Sequence, residues 1–210
     1  MATGTVILTG ANGGLGSAFA QTLLSTSYHG IFTVRALTPP SSGTLKRILA
    51  STSMSHEIVP LDLGSLSAVR RFAENINSRV SSGKIPKIRV LVLNAAMQSF
   101  HGVKYTVDGI ETTWGVNYLA NFLLVLLLLE SMDPENGRII AVSSWTHDTS
   151  FYLNRFVTDK LVFRDPEVMA HPDYEDKKGD YWPAGMRRYG LSKLCMLMFV
   201  YGGAVTALIW

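Results

Sequence analysis

An apolar run, Thr5 to Leu8, leads directly into Thr9-Gly10-Ala11-Asn12-Gly13-Gly14-Leu15-Gly16, and that cluster opens a stretch of helical period. Glycine tolerates positive φ and close backbone approach, so a cluster of it between an apolar run and a helix reads as a tight strand-to-helix turn. A strand that feeds straight into a helix pairs next with a parallel strand through a right-handed crossover. The remaining chain repeats the theme. Ile31 to Arg35, Glu57 to Leu61, Arg89 to Leu93 and Arg138 to Ser143 are further β-branched apolar runs of the kind buried on both faces. Between them, Leu15, Phe19 and Leu23 recur at a spacing of four, and Leu66, Val69, Phe72, Ile76 and Val80 mark a helix face that Ser65 is placed to cap. The pattern predicts an α/β fold, a doubly wound parallel sheet of about five strands with its ligand crevice at the carboxyl ends of the strands.

With 210 residues, 47% apolar and 17% charged, the chain has enough apolar surface for one core and is read as a single domain over 1–210. The irregular stretch 145–188 is read as an inserted loop or lid, too short to bury a core of its own. Cys195 is the one cysteine, which rules out an internal disulfide, and no basic segment followed by an apolar stretch opens the chain. Cytoplasmic residence is the expectation. The net charge of +3 is spread along the sequence, so nucleic acid is not an expected partner, and no metal site is expected. Phe122 to Leu129 is too short to span a bilayer, whereas Leu194 to Trp210 lacks charge at the lower edge of a spanning length. Gly202 and Gly203 interrupt that tail, and a buried helix is its more economical reading.

Several positions carry chemistry. Backbone N–H groups at the start of a helix, with its partial positive charge, favour an anion, so Gly10, Asn12, Gly14, Leu15 and Gly16 are candidate holders of a dinucleotide phosphate. No Asp or Glu occurs between Met1 and Thr52, and Arg35 stands at the end of the second strand. A carboxylate there would repel a 2′-phosphate, whereas a guanidinium attracts one, so Arg35 favours NADP(H) over NAD(H). Asp62 either accepts from an adenine amino group or caps the next helix. Asn94-Ala95-Ala96 ends the fourth strand, where small side chains let backbone pass close to a ribose. Far downstream, Tyr189-Gly190-Leu191-Ser192-Lys193 puts a phenol and an ammonium one helical turn apart. A free phenol titrates near pH 10, so a neighbouring cation suits it to proton exchange at a carbonyl oxygen. Ser143-Ser144, ending the fifth strand, can add a hydroxyl donor to the same oxygen.

The series Thr9-Gly10-x-x-x-Gly14-x-Gly16, Asp62, Asn94-Ala95-Ala96, Asn117, Ser143-Ser144 and Tyr189-x-x-x-Lys193 resembles the short-chain dehydrogenase/reductase family from residue 5 to about 200. Tyr105 to Glu111 and Val116-Asn117-Tyr118-Leu119 are similar to its retinol dehydrogenase-like and protochlorophyllide reductase-like branch. The resemblance implies a Rossmann fold, a nicotinamide cofactor and a catalytic group of Asn117, Ser144, Tyr189 and Lys193. In it, Tyr189 exchanges the proton, Lys193 lowers its pKa and holds the cofactor ribose, Ser144 orients the substrate oxygen, and Asn117 supports a water chain to Lys193. It also implies pairing of two copies through helices beginning near Thr112 and Tyr189.

Two departures from the family stand out. Forty-four residues separate Ser144 from Tyr189, more than in most relatives, and they are read as a cover over the substrate. Beyond the Tyr-Lys helix, the family's sixth strand, Pro-Gly loop and seventh strand are missing, as in a C-terminally truncated member whose fifth strand would form an exposed edge. The expected activity is interconversion of a carbonyl and an alcohol on an apolar small molecule. The competing expectation is an inactive, shortened paralogue that keeps nucleotide binding or serves a protein partner.

Overall fold

The computed structural model describes residues 2–37, 43–50, 52–100, 102–148, 150–151, 154, 165–172, 182–203 and 206–208. These contain β1 (Thr5–Leu8), α1 (Gly14–Leu23), β2 (His29–Val34), α2 (Gly43–Leu49), β3 (His56–Pro60), α3 (Leu66–Ser81) and β4 (Ile88–Leu93). A continuous helix follows, made of α4 (Thr112–Trp114), a π turn (Gly115–Leu119), α5 (Ala120–Leu128) and a 3₁₀ turn (Leu129–Ser131). The remainder is β5 (Arg138–Val142), a 3₁₀ turn (Trp145–His147), α6 (Pro166–Ala170), α7 (Trp182–Gly203) and β6 (Thr206–Leu208). Strand order is β3-β2-β1-β4-β5-β6, and the pairs β1–β2, β1–β4 and β2–β3 are parallel. This is the doubly wound, Rossmann-like α/β arrangement the alternating pattern predicts. The order reverses at β1, which places the switch point between β1 and β4.

The chain was read as one domain, and its contacts divide it into two compact units. The first comprises residues 1–63, 67–95 and 123–140. It holds β1 to β4, whose apolar residues, led by Val6, Leu8, Phe32, Val34 and Val92, form one core with Leu45 and Leu49 of α2. Every residue of β1 is buried, which is why its sequence shows no alternation. At the outer strand, Glu57 of β3 takes hydrogen bonds from His29 of β2 and Arg79 of α3. Although burial works the other way, those two partners hold its carboxyl below the ordinary range.

The second unit comprises residues 64–66, 96–122 and 141–210. Trp114, Met169, Ala170, Leu191 and Cys195 are its buried centre, flanked by Ile110, Tyr118, Leu119 and Leu194. Part of the presumed lid is thus packed core: Met169 and Ala170 of α6 are 3% and 7% exposed, and the Ala170 carbonyl accepts from Glu111 N–H at 2.7 Å. The lid's residues 149, 152–153, 155–164 and 173–181 lie outside those described, and α7 already begins at Trp182. The first-turn N–H of α3, at Leu66, donates to the Asp108 carboxylate at 2.8 Å.

On α1, Leu15 is 42% exposed, and the residues buried are Gly16 and Ala20. The first turn of α1 lies so close to the end of β1 that a Cβ on Gly16 would stand 2.1 Å from the Gly10 carbonyl oxygen. Only a residue without a side chain fits against the strand, so the helix presents position 16 inward and position 15 outward. The expected sheet edge needs correction. β5 is not the last strand, because β6 follows it in the sheet. Gly202-Gly203 ends α7, and Val205-Thr206-Ala207-Leu208-Ile209 has the β-branched composition of a strand.

The apolar run of α5 extends in both directions, and the whole helix Thr112–Ser131 is long and apolar enough to cross a membrane by length and composition. It also buries the amides of Asn117 and Asn121, each 1% exposed, as a core helix does.

Gly16 and Gly14 separate two reasons for glycine. Gly16→Ala is expected to destabilise by about 2 kcal/mol or more through overpacking against backbone, roughly 4–8 °C in Tm. Gly14→Ala, where a Cβ meets nothing within 4 Å, should leave Tm unchanged or raise it. Thermal denaturation of the two variants beside the parent checks both.

Candidate active site

The glycine turn is built around Thr9 and Asn94. The Thr9 side chain is fully buried; its hydroxyl donates to the Val92 carbonyl at 3.3 Å and accepts from the N–H groups of Asn94 and Ala95 at 3.0 Å each. The Asn94 amide donates to the carbonyls of Thr9 at 2.9 Å and Gly10 at 3.2 Å. Gly10 takes φ +64, and a Cβ on it would lie 2.9 Å from Ala95 Cα, so a small residue at 95 is a packing requirement. Asn94 and Ala95, expected beside a ribose, therefore clamp the turn to β4 as well.

The outer side of the turn is different. A Cβ on Gly13 would meet only the Gly10 carbonyl oxygen, at 3.5 Å, and one on Gly14 meets nothing. Packing within the chain does not require glycine at 14. Gly13 caps α1 with no side-chain hydrogen bond, and the first turn holds no acidic residue, so the leading N–H groups carry their partial positive charge uncancelled. Asn12 is half-buried on this rim and Leu15 is exposed there. Those features fit a dinucleotide phosphate: a smooth backbone surface, donors facing outward and no competing carboxylate. Arg35 is exposed at the end of β2 and forms no salt bridge among the described residues; Asp62 is exposed just before α3.

In the second unit the structure brings Asn117, Ser144, Tyr189 and Lys193 together. Ser144 ends the extended segment after β5 and caps the following 3₁₀ turn, its hydroxyl accepting from Thr146 N–H at 3.4 Å. The same side chain lies beside the half-buried Tyr189 phenol, close enough to favour its ionised form. Neighbouring Ser143 points elsewhere, its hydroxyl donating to the Lys193 carbonyl at 3.3 Å. The serine that meets the phenol is thus the second of the pair.

Lys193, one turn beyond Tyr189 on α7, is 3% exposed. Its ammonium donates to the Val142 carbonyl at 2.8 Å and lies 5.5 Å from the centre of the Tyr189 ring. Burial disfavours the charge and brings its pKa down to about 8. Tyr189 is shifted the other way: burial pushes the phenol above its ordinary value, with Ser144 opposing. The family resemblance implies a lysine that lowers this pKa. Here the ammonium is turned toward a backbone carbonyl, and the phenol stays protonated at neutral pH.

Asn117 lies on the π turn, where the wider helix re-aims one residue. Two carbonyls of that turn, Val116 and Asn117, are taken up by the Asn121 amide at 3.0 and 3.1 Å. The Asn117 side chain accepts from Met97 N–H at 2.7 Å and donates to the Met97 carbonyl at 2.9 Å and to Ser192 Oγ at 3.0 Å. Ser192, fully buried, donates its own hydroxyl hydrogen bond to the Tyr189 carbonyl at 2.7 Å. Asn117 therefore reaches the catalytic helix through a serine hydroxyl.

Sequence reasoning missed the supporting contacts of Thr9, Asn121 and Ser192, and the burial of Glu111 and Arg188. Thr9 and Ser192 sit inside motifs already singled out, and a buried hydroxyl beside a glycine turn or a Tyr-Lys pair was the available signal. Glu111 and Arg188 gave none, since charged residues at such positions ordinarily face solvent.

Comparison with known proteins fits this geometry. A family model described as short chain dehydrogenase matches residues 4–154. The short-chain dehydrogenase iccH of Talaromyces variabilis is 41% identical over 93% of this chain and 62% of its own length. Protochlorophyllide reductase B of Hordeum vulgare is 37% identical over 70% of this chain and 37% of its own. A metagenomic short-chain oxidoreductase crystallised in complex with NADP superposes with a TM-score of 0.62, covering 99% of this chain and 80% of that one at 20% identity, a likeness of fold. The chain thus spans less than two thirds of the length of these two sequence relatives. The matched model and the fungal relative, together with the sheet order and the Ser144-Tyr189-Lys193 grouping, place this chain in the short-chain dehydrogenase/reductase family.

Proposed function

We infer that the chain is an NADP(H)-dependent oxidoreductase that interconverts a carbonyl and an alcohol on an apolar small molecule. The observation that carries this reading is the half-buried Tyr189 phenol beside Ser144, with a buried ammonium 5.5 Å from its ring. A nicotinamide, when bound, supplies or takes up hydride at carbon. The protein's part is the oxygen. Ser144 and Tyr189 both offer an O–H to one acceptor, and a phenol held protonated is ready to give its proton as negative charge develops on a carbonyl oxygen. Lys193 keeps a positive charge beside the resulting phenolate, which favours that charged form.

Gly10, Asn12, Gly14, Leu15 and Gly16 would receive the pyrophosphate, Asn94 and Ala95 would lie along the ribose, and Asp62 would face the adenine. Arg35, exposed where the adenosine ribose is expected and with no carboxylate before Thr52, supports NADP(H) over NAD(H). The NADP found in one structural neighbour agrees with that choice. An apolar substrate is supported by Trp145 and Phe151, whose rings pack with centroids 5.0 Å apart immediately after Ser144. Such a wall excludes water and favours an apolar group beside the reacting carbonyl.

The direct test is NADPH oxidation over a panel of aromatic and aliphatic ketones and aldehydes. Tyr189→Phe should lower kcat by about 10²–10⁴ with NADPH affinity retained. NADPH binding without Tyr189-dependent turnover would instead favour the inactive paralogue.

Cofactor choice is read from titrations followed by nicotinamide fluorescence. Arg35→Ser should weaken NADPH by about tenfold while leaving NADH within twofold. Gly14→Ala should weaken both, although its Tm does not fall.

The pH profile follows from Lys193. Below about pH 8 its ammonium is charged, and above it the charge is lost. kcat/KM for reduction should therefore be level from about pH 6 to 7 and fall with a midpoint near 8. A profile flat to pH 10 would remove Lys193 from the assigned role.

A further inference from the structure

One buried charge pair lies outside this machinery. Glu111, 1% exposed, and Arg188, 5% exposed, face each other with Nε and Oε1 3.6 Å apart. Charged groups taken out of water need partners; Glu111 has hydrogen bonds to both oxygens, whereas Arg188 is bonded through Nη2 and its buried Nε meets Glu111 by charge alone, without a hydrogen bond. Glu111 precedes α4 and accepts from Thr113 N–H at 2.9 Å through one oxygen and from Trp114 N–H at 2.7 Å through the other. Its own N–H donates to the Ala170 carbonyl of α6. Arg188 immediately precedes Tyr189 on α7, and its Nη2 donates to the carbonyls of Ser99 at 3.3 Å and Gly102 at 3.4 Å. The loop containing those carbonyls begins at Met97, which Asn117 grips through both backbone groups. One turn earlier on α7, a Cβ on Gly185 would lie 2.4 Å from the Ser99 oxygen, so helix and loop are in direct backbone contact.

The pair therefore joins three pieces at one point: the start of the helix bearing Asn117, the loop that Asn117 holds, and the turn of α7 from which the phenol projects. We propose that Glu111 and Arg188 are positioning residues, a buried ion pair that sets the rotation and height of α7 relative to α4 and the 97–102 loop and thereby aims Tyr189 at Ser144. A planar guanidinium suits the task. Its donors lie in fixed directions, so it can meet a carboxylate and two carbonyls only when helix and loop are in one register. Tyr189 follows Arg188 directly on α7, so the turn that the guanidinium ties to the loop is the turn that carries the phenol. This proposal rests on the reading of Tyr189 as proton donor, but the geometry it concerns can be measured without turnover.

The variants are Arg188→Lys, Arg188→Gln and the double variant Glu111→Gln/Arg188→Gln, which leaves neither charge alone in the interior. Two readouts are taken on each. One is the ionisation midpoint of Tyr189 by ¹³Cζ-tyrosine NMR, the resonance assigned with Tyr189→Phe. The other is the split between kcat and the KM for NADPH.

The double variant is expected to fold, with far-ultraviolet circular dichroism like the parent. Its Tyr189 midpoint should move up as the Ser144 contact is lost. Its kcat should fall at least tenfold while KM for NADPH stays within twofold. Arg188→Lys should recover part of kcat relative to Arg188→Gln. A double variant that melts earlier but keeps the parent's Tyr189 midpoint and kcat would overturn the proposal, leaving the pair a stability element. A double variant that does not fold would overturn it too, because the pair would then serve the whole unit rather than the phenol. If the parent itself shows no Tyr189-dependent turnover, the reductase reading fails, and the NMR midpoint alone decides the positioning role.

Discussion

An ammonium group kept almost entirely from water, with a backbone carbonyl as its hydrogen-bond acceptor, governs the chemistry of the second unit. Lys193 donates to Val142 at the end of β5, so the strand's last carbonyl becomes the anchor of α7. Ser143 and Ser144 follow at once on the same strand end, the first tied back to the Lys193 carbonyl and the second set beside the phenol. Three successive residues of one segment thus meet three points of one helix. The low-dielectric setting that lowers the affinity of Lys193 for its proton also makes its charge effective on a neighbouring oxygen, because little water is present to screen it.

The first unit reaches rigidity by another route. Its turn has no buried charge; it is fixed by a hydroxyl, an amide and the close approach of backbone to backbone. Thr9 satisfies two N–H groups that would otherwise end β4 unpaired, and Asn94 returns the favour to the carbonyls at the end of β1. The switch point is locked from both strands, while the outward side of the turn is left bare. A surface made of backbone alone keeps its shape whatever the surrounding side chains do.

Much of this was legible in the residues. The runs at Thr5, Ile31, Glu57, Arg89 and Arg138 became strands with ends shifted by no more than two residues, because each carries adjacent β-branched or apolar residues that suit a sheet, most completely in the fully buried β1. Gly10, Gly14 and Gly16 look alike in sequence, yet packing treats them differently: Gly10 takes positive φ, Gly16 is in contact with backbone, and Gly14 faces open space where the fold itself does not demand glycine. The residues alone do not reveal which helix face a glycine claims, so the inward turn of Gly16 beside an exposed Leu15 is read only from the structure. Nor does the sequence expose Glu111 and Arg188. Seventy-six intervening positions conceal their meeting, and neither period nor motif marks a charge for burial. The terminal strand β6 was missed because a three-residue strand after a glycine pair carries no periodicity to read.

The π turn at Gly115–Leu119 has a consequence for how this helix tolerates change in length. A wide turn of this kind carries one residue more than a regular helix needs, and elsewhere on the helix a deletion would swing every following side chain by about 100°. Between positions 115 and 119 a deletion would instead restore the ordinary pitch and leave the Leu124 and Leu128 stripe in phase with Trp114. The surplus residue is dispensable to the core and is spent on the direction in which a single amide, that of Asn117, is pointed.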